Sequence, residues 1–143
     1  MSVLHFDGTK GDYVQIPDSA AFSVATSGSL TVSAWMRPDV LTFLIFEGSG
    51  FVHWLGKGVP GQQEWVFRMY NETTTDVPPR PNRISFYVFD LSGPPPNDEG
   101  VGSYFQEPVT VGEWIQVVAW PTELRRRSTR TVCSNRVRLT RAS

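Results

Sequence analysis

Tyr70, Asn71 and Tyr104 are the side chains of this sequence best placed to hold a ligand, because each borders a polar loop. A sugar ring is commonly held by an aromatic platform flanked by amide or charged hydrogen-bonding groups. Trp54, Trp65 and Tyr87 add aromatic surface. Most strand aromatics of a layered β protein face the core, and that is the expected place of Trp35, Trp65 and Trp114. Patterns for catalysis are missing from the sequence. Glu64 has no second carboxylate on its strand, and Asp98-Glu99 lies in a Pro- and Gly-rich stretch. Glycoside hydrolysis needs two facing carboxylates, so that chemistry is not expected. His5 and His53 lie far apart, and a strand histidine such as His53 is expected to be hydrogen-bonded, not catalytic. No Gly-x-Ser-x-Gly elbow, Cys/His metal spacing or phosphate loop occurs. The residues therefore suggest a binding module and not an enzyme.

Charge narrows the partner classes. The net charge is −1, but residues 1–120 carry six Lys/Arg against thirteen Asp/Glu, whereas residues 121–143 carry seven Arg against one Glu. A basic segment can contact phosphates. This one lacks interleaved aromatics and follows an acidic body, so no nucleic acid is expected as partner. Cys133 is the single cysteine, which excludes an intrachain disulfide. No signal peptide is visible and no apolar run is long enough to span a bilayer. The expectation is an excerpt of a longer polypeptide, or export by another route such as on a virus particle.

The elements that must position these side chains read as strands. The chain has 143 residues, 40% hydrophobic and 13% aromatic, enough for the core of one domain. Twelve Gly and eleven Pro break it into short pieces, as turns between strands do. Around Ser29–Asp39, Leu30, Val32, Ala34 and Met36 recur every second residue and alternate with Thr31, Ser33, Trp35 and Arg37. That period puts the apolar set on one face of a strand, ended by Pro38 and expected to lie centrally in its sheet against a second sheet. Val3–Phe6 and Tyr13–Ile16 alternate likewise around an Asp- and Gly-rich loop and suggest two more strands. Ser19 or Asp18 can cap a helical turn reaching Phe22. Further strands are expected at 41–46, at 51–58, at 64–70 with Trp65, Phe67 and Met69 on one face, at 84–90 with Ile84, Phe86 and Val88 on one face, and at 111–118. Residues 71–82 and 91–102 read as loops. The expected fold is all-β, an antiparallel two-sheet β-sandwich.

The stretch LHFDGTKGDYVQIPDSAAFSVATSGSLTVSAWMRPD resembles the opening of concanavalin A-like jelly rolls, specifically laminin-G-like or pentraxin-like modules. Phe51–Gly58 and Val111–Val118 are similar to later strands of that family. After Trp120 the likeness stops. The expected organisation is therefore a laminin-G-like domain over 1–120 and an Arg-rich tail over 121–143 that matches no strand of the family, from a truncated or frameshifted reading or, alternatively, as a genuine divergent ending. Several functions are implied by this resemblance, since the fold serves many. The first is non-catalytic recognition of glycan or extracellular protein at a cell or particle surface, extracellular or on a virion. A structural or adhesion segment without a small ligand, and the accessory domain of a carbohydrate-active enzyme, are the alternatives. The resemblance also implies one Ca²⁺ near the N-terminal loop, with Asp7 and Asp12 as hard oxygen donors.

Overall fold

Alternating apolar residues need a partner layer, and the computed structural model supplies it as two antiparallel sheets. The structure describes residues 2–8, 11–24, 29–43, 50–59, 61–74, 77–89, 100–127 and 130–141, with the backbone alone for 121–127 and 130–137. Its strands are β1 (Val32–Met36), β2 (Phe51–Val59), β3 (Gln62–Tyr70), β4 (Ile84–Phe89), β5 (Gly100–Tyr104), β6 (Ile115–Arg127) and β7 (Arg130–Arg141). One sheet runs β1-β6-β7 and the other β2-β3-β4-β5. The all-β sandwich read from the sequence is the architecture observed.

The core lies between the sheets. Val32, Ala34 and Met36 of β1, with Ile115, Val117 and Ala119 of β6, meet Trp65, Phe67 and Met69 of β3 and Ile84, Phe86 and Val88 of β4. Phe67 and Phe86 are fully buried with ring centroids 4.8 Å apart. Leu139 of β7 packs against the same cluster. Burying each such side chain is worth roughly 1.5–3 kcal/mol, so these inward positions carry the stability of the fold.

Several expectations are corrected. β1 turns its apolar face to the second sheet as foreseen, but among the described residues it is an edge strand, paired only with β6. Alternation reports which face is buried, not how many neighbours a strand has. Trp35 accordingly points away from the core and is 47% exposed. Val3–Phe6 and Tyr13–Ile16 are not strands. Among the described residues they pair with no strand, and Val3, Leu4, Phe6, Tyr13, Val14 and Ile16 are all exposed. A strand requires a ladder partner, and the period-two pattern cannot supply one. Residues 41–43 are not strand, 41–42 forming a bend, and 44–46 lie outside the described residues. Gly100–Gly102, read as loop, belongs to β5, while 91–99 lie outside the described residues. The strand expected from 111 begins only at Ile115. The Arg-rich segment, which shows no strand pattern, is strand nonetheless: β6 continues to Arg127 and pairs with β7 from Ile115↔Arg141 to Arg127↔Arg130. A ladder is made by backbone groups, which arginine carries as well as valine does.

The helical turn is present at Ala20–Phe22, and the Ser19 side chain accepts from the Ala21 N–H as its cap. This turn is fastened to the four-stranded sheet. Trp65 Nε1 donates to the Phe22 carbonyl at 2.8 Å, and the Ser23 hydroxyl donates to Glu64 Oε1 at 2.6 Å. Lys57 Nζ bridges Asp18 at 2.9 Å and Glu64 at 3.1 Å. Lys57 holds the Asp18 carboxyl below its ordinary value, first by hydrogen bond and then by charge. The buried Glu64 carboxylate is thus partnered on both oxygens, the condition under which a buried charge is tolerated.

Candidate functional site

With Trp65, Phe67 and Met69 pointing inward, Arg68 and Tyr70 must point outward. The same holds on β4, where Ser85 and Tyr87 alternate with the inward Ile84, Phe86 and Val88. Strand register then aligns four outward residues in one row across the sheet. His53 pairs with Arg68, Arg68 with Ser85, and Ser85 with Tyr104.

Aromatic rings frame this row. The Arg68 guanidinium lies 4.3 Å from the Phe51 ring centroid on one side strand and 4.2 Å from that of Tyr87 on the other. Such cation–π contacts are worth about 0.5–2 kcal/mol each and hold the group in place. Arg68 Nε donates to His53 Nε2 at 3.0 Å. Arg80 lies 3.6 Å over the Tyr104 ring. The Tyr104 hydroxyl is shared between Tyr70, at 3.1 Å, and Tyr87. Tyr87 and Tyr104 meet edge to face with centroids 5.9 Å apart. The Tyr87 ring can lie down on the sheet because Gly102 sits beneath it, and Gly100 likewise accommodates Phe89. Beside these groups the Ser85 hydroxyl is fully buried and has no hydrogen-bond partner among the described residues.

The electrostatics favour a cationic, donor-rich surface. Burial pushes the phenols of Tyr87 and Tyr104 above their ordinary value, so they stay protonated. Burial, and then the Arg68 charge, hold His53 down at about 4. The ring is therefore neutral near pH 7 and accepts the Arg68 hydrogen bond. A folded pKa below the unfolded value of 6.5 means that the unfolded chain takes up the proton first as pH falls. The stabilisation from neutral His53 is complete above pH 6.5 and is lost as pH falls toward 4. Partial solvent screening leaves about 1–2 kcal/mol for this half-buried ring. Urea titrations at pH 7 and 4.5 should show that loss in the parent protein, and His53→Gln, which keeps an acceptor but cannot titrate, should lose less over the same interval.

Of the residues singled out from sequence, Tyr70 and Tyr104 are brought together. Tyr70 is nearly fully buried and Tyr104 half-buried. Asn71 follows Tyr70, but its side chain turns into the loop. Its Nδ2 donates to the Phe43 carbonyl at 2.7 Å, and its Oδ1 accepts from the Thr73 N–H and hydroxyl at 3.0 and 3.1 Å. Asp7 and Asp12 are neighbours in the N-terminal loop, where Asp12 Oδ2 accepts from the Asp7 N–H at 3.4 Å. Both are exposed, and among the described residues no three or more His, Cys, Asp or Glu come together. Calcium takes six to eight oxygen ligands, so this pair alone does not make its site. The sequence reading missed Arg68, Arg80 and Ser85 and gave His53 no part in a site. The inward triplets of β3 and β4 could have marked Arg68 and Ser85 as outward, but which residues share a row depends on register across long loops.

Among the described residues no helix is long and apolar enough to cross a membrane. Compared with known protein families, curated proteins and solved structures, the chain matches none of them.

Proposed function

We propose that this chain is a non-catalytic recognition module, laminin-G-like in character, that binds glycan at a cell or particle surface through the outer face of β2-β3-β4-β5. The observation that carries the reading is the row His53–Arg68–Ser85–Tyr104 set among Phe51, Tyr70 and Tyr87. Phe51, His53, Arg68, Tyr87 and Tyr104 are partly exposed and combine flat aromatic surface with fixed hydrogen-bond donors, the pairing by which sugar rings are held, while the buried Ser85 and Tyr70 support them from beneath. The titratable members favour binding over proton transfer. Tyr87 and Tyr104 are held protonated, and His53 is occupied by Arg68.

The test is a glycan array probed with the labelled chain, once with calcium and once with chelator. Binding to a defined class of glycan, weakened at least about tenfold by Tyr104→Ala, is the expected outcome. The two conditions should agree, because among the described residues no three or more His, Cys, Asp or Glu come together. Binding that tracks calcium and is abolished by Asp12→Asn would instead move the site to the N-terminal loop. Binding to no glycan would leave the structural or adhesion role.

A further inference from the structure

The donors of the outer face outnumber its acceptors. Arg68 uses its Nε–H on His53, while its four terminal N–H groups have no acceptor among the described residues. The Tyr70, Tyr87 and Tyr104 hydroxyls, by contrast, are hydrogen-bonded among themselves. Among the described residues no carboxylate lies in the row that Arg68 occupies. A guanidinium packed on aromatic rings, with its fork edge uncommitted, is pre-organised for a planar anion with two oxygens.

Resting on the glycan reading above, we infer that the ligand is an acidic saccharide. Its carboxylate meets the Arg68 fork, and its ring lies beside Tyr87 and Tyr104. Sugar carboxylates come from two sources, hexuronic acids and sialic acids. They share the planar anion and differ in whether it sits on the ring carbon chain or at a quaternary centre.

The experiment measures affinity by calorimetry for four probes: a galacturonic acid trisaccharide, its methyl ester, a sialic acid-capped trisaccharide and its methyl ester. The intact chain should bind at least one acid about tenfold or more tightly than its ester, and the preferred acid names the source. Arg68→Lys keeps the charge but not the fork, and should lose about tenfold or more on the acid and clearly less on the ester, so that the acid–ester gap narrows. Circular dichroism checks that this variant is folded; if it is not, the acid–ester comparison on the parent chain decides alone. Equal affinity for acid and ester would overturn the inference and leave glycan recognition standing. A preference for sulfated, carboxylate-free sugars would overturn it as well. Binding of none of these probes, nor of neutral glycans on the array, would remove both.

Discussion

Phe86→Ala is expected to lower stability by about 3–5 kcal/mol, the range for emptying a fully buried aromatic site. Phe86 is fully buried, 4.8 Å from Phe67 and 6.3 Å from Trp65 between ring centroids, in the layer that faces β1 and β6. A domain of this size holds about 5–15 kcal/mol in all, so the variant would unfold at a much lower urea midpoint, with a similar slope. Trp35→Ala is the matching control. Its ring is larger than that of Phe86, but it stands on the outer face of what is, among the described residues, an edge strand, and is half exposed. It should cost less than about 1 kcal/mol. A reversal of the two effects would mean that the faces of the two sheets are assigned the wrong way round.

Gly102→Ala is expected to have the second largest effect, and a different one. A Cβ at this position would enter the space of the Tyr87 ring, which is itself held by Arg68. Overpacking of this kind costs roughly 1–3 kcal/mol. The displaced ring would also give up its hydroxyl contact with Tyr104 and its stacking on Arg68. Affinity should therefore fall more than stability does. The near-ultraviolet tyrosine signal should change while the far-ultraviolet strand signal is kept. Adding Tyr87→Ala to Gly102→Ala relieves the overlap, so the double variant should regain part of the stability and none of the affinity. Full recovery of binding in the double variant would show that Tyr87 is not part of the ligand surface.

Local alternation made the inner faces legible. Trp65, Phe67 and Met69, and Ile84, Phe86 and Val88, are buried as their spacing indicates, and the Ser19 cap holds the turn that follows it. Pairing was not legible, because it depends on partners distant in the chain. Among the described residues β1, which looked central, is an edge, and the apolar alternation of 3–6 and 13–16 found no ladder, whereas the arginine-rich segment did. The candidate site divides in the same way. Tyr70 and Tyr104 could be chosen for their types and their places beside loops. Arg68 and Ser85 become partners only through register, and His53 joins them from β2 across an irregularity between His53 and Leu55. Asn71 shows the opposite case, a residue of suitable type whose amide is engaged in closing its own loop.

The most direct measurement is amide chemical-shift mapping of the labelled chain titrated with the tightest-binding glycan. Shifts should concentrate on His53, Arg68, Ser85, Tyr87, Gly102 and Tyr104, on neighbouring strands of one sheet face. Shifts confined to 2–18, or to β1 around Trp35, with the Arg68 row unmoved, would contradict the placement of recognition on the outer face of the four-stranded sheet.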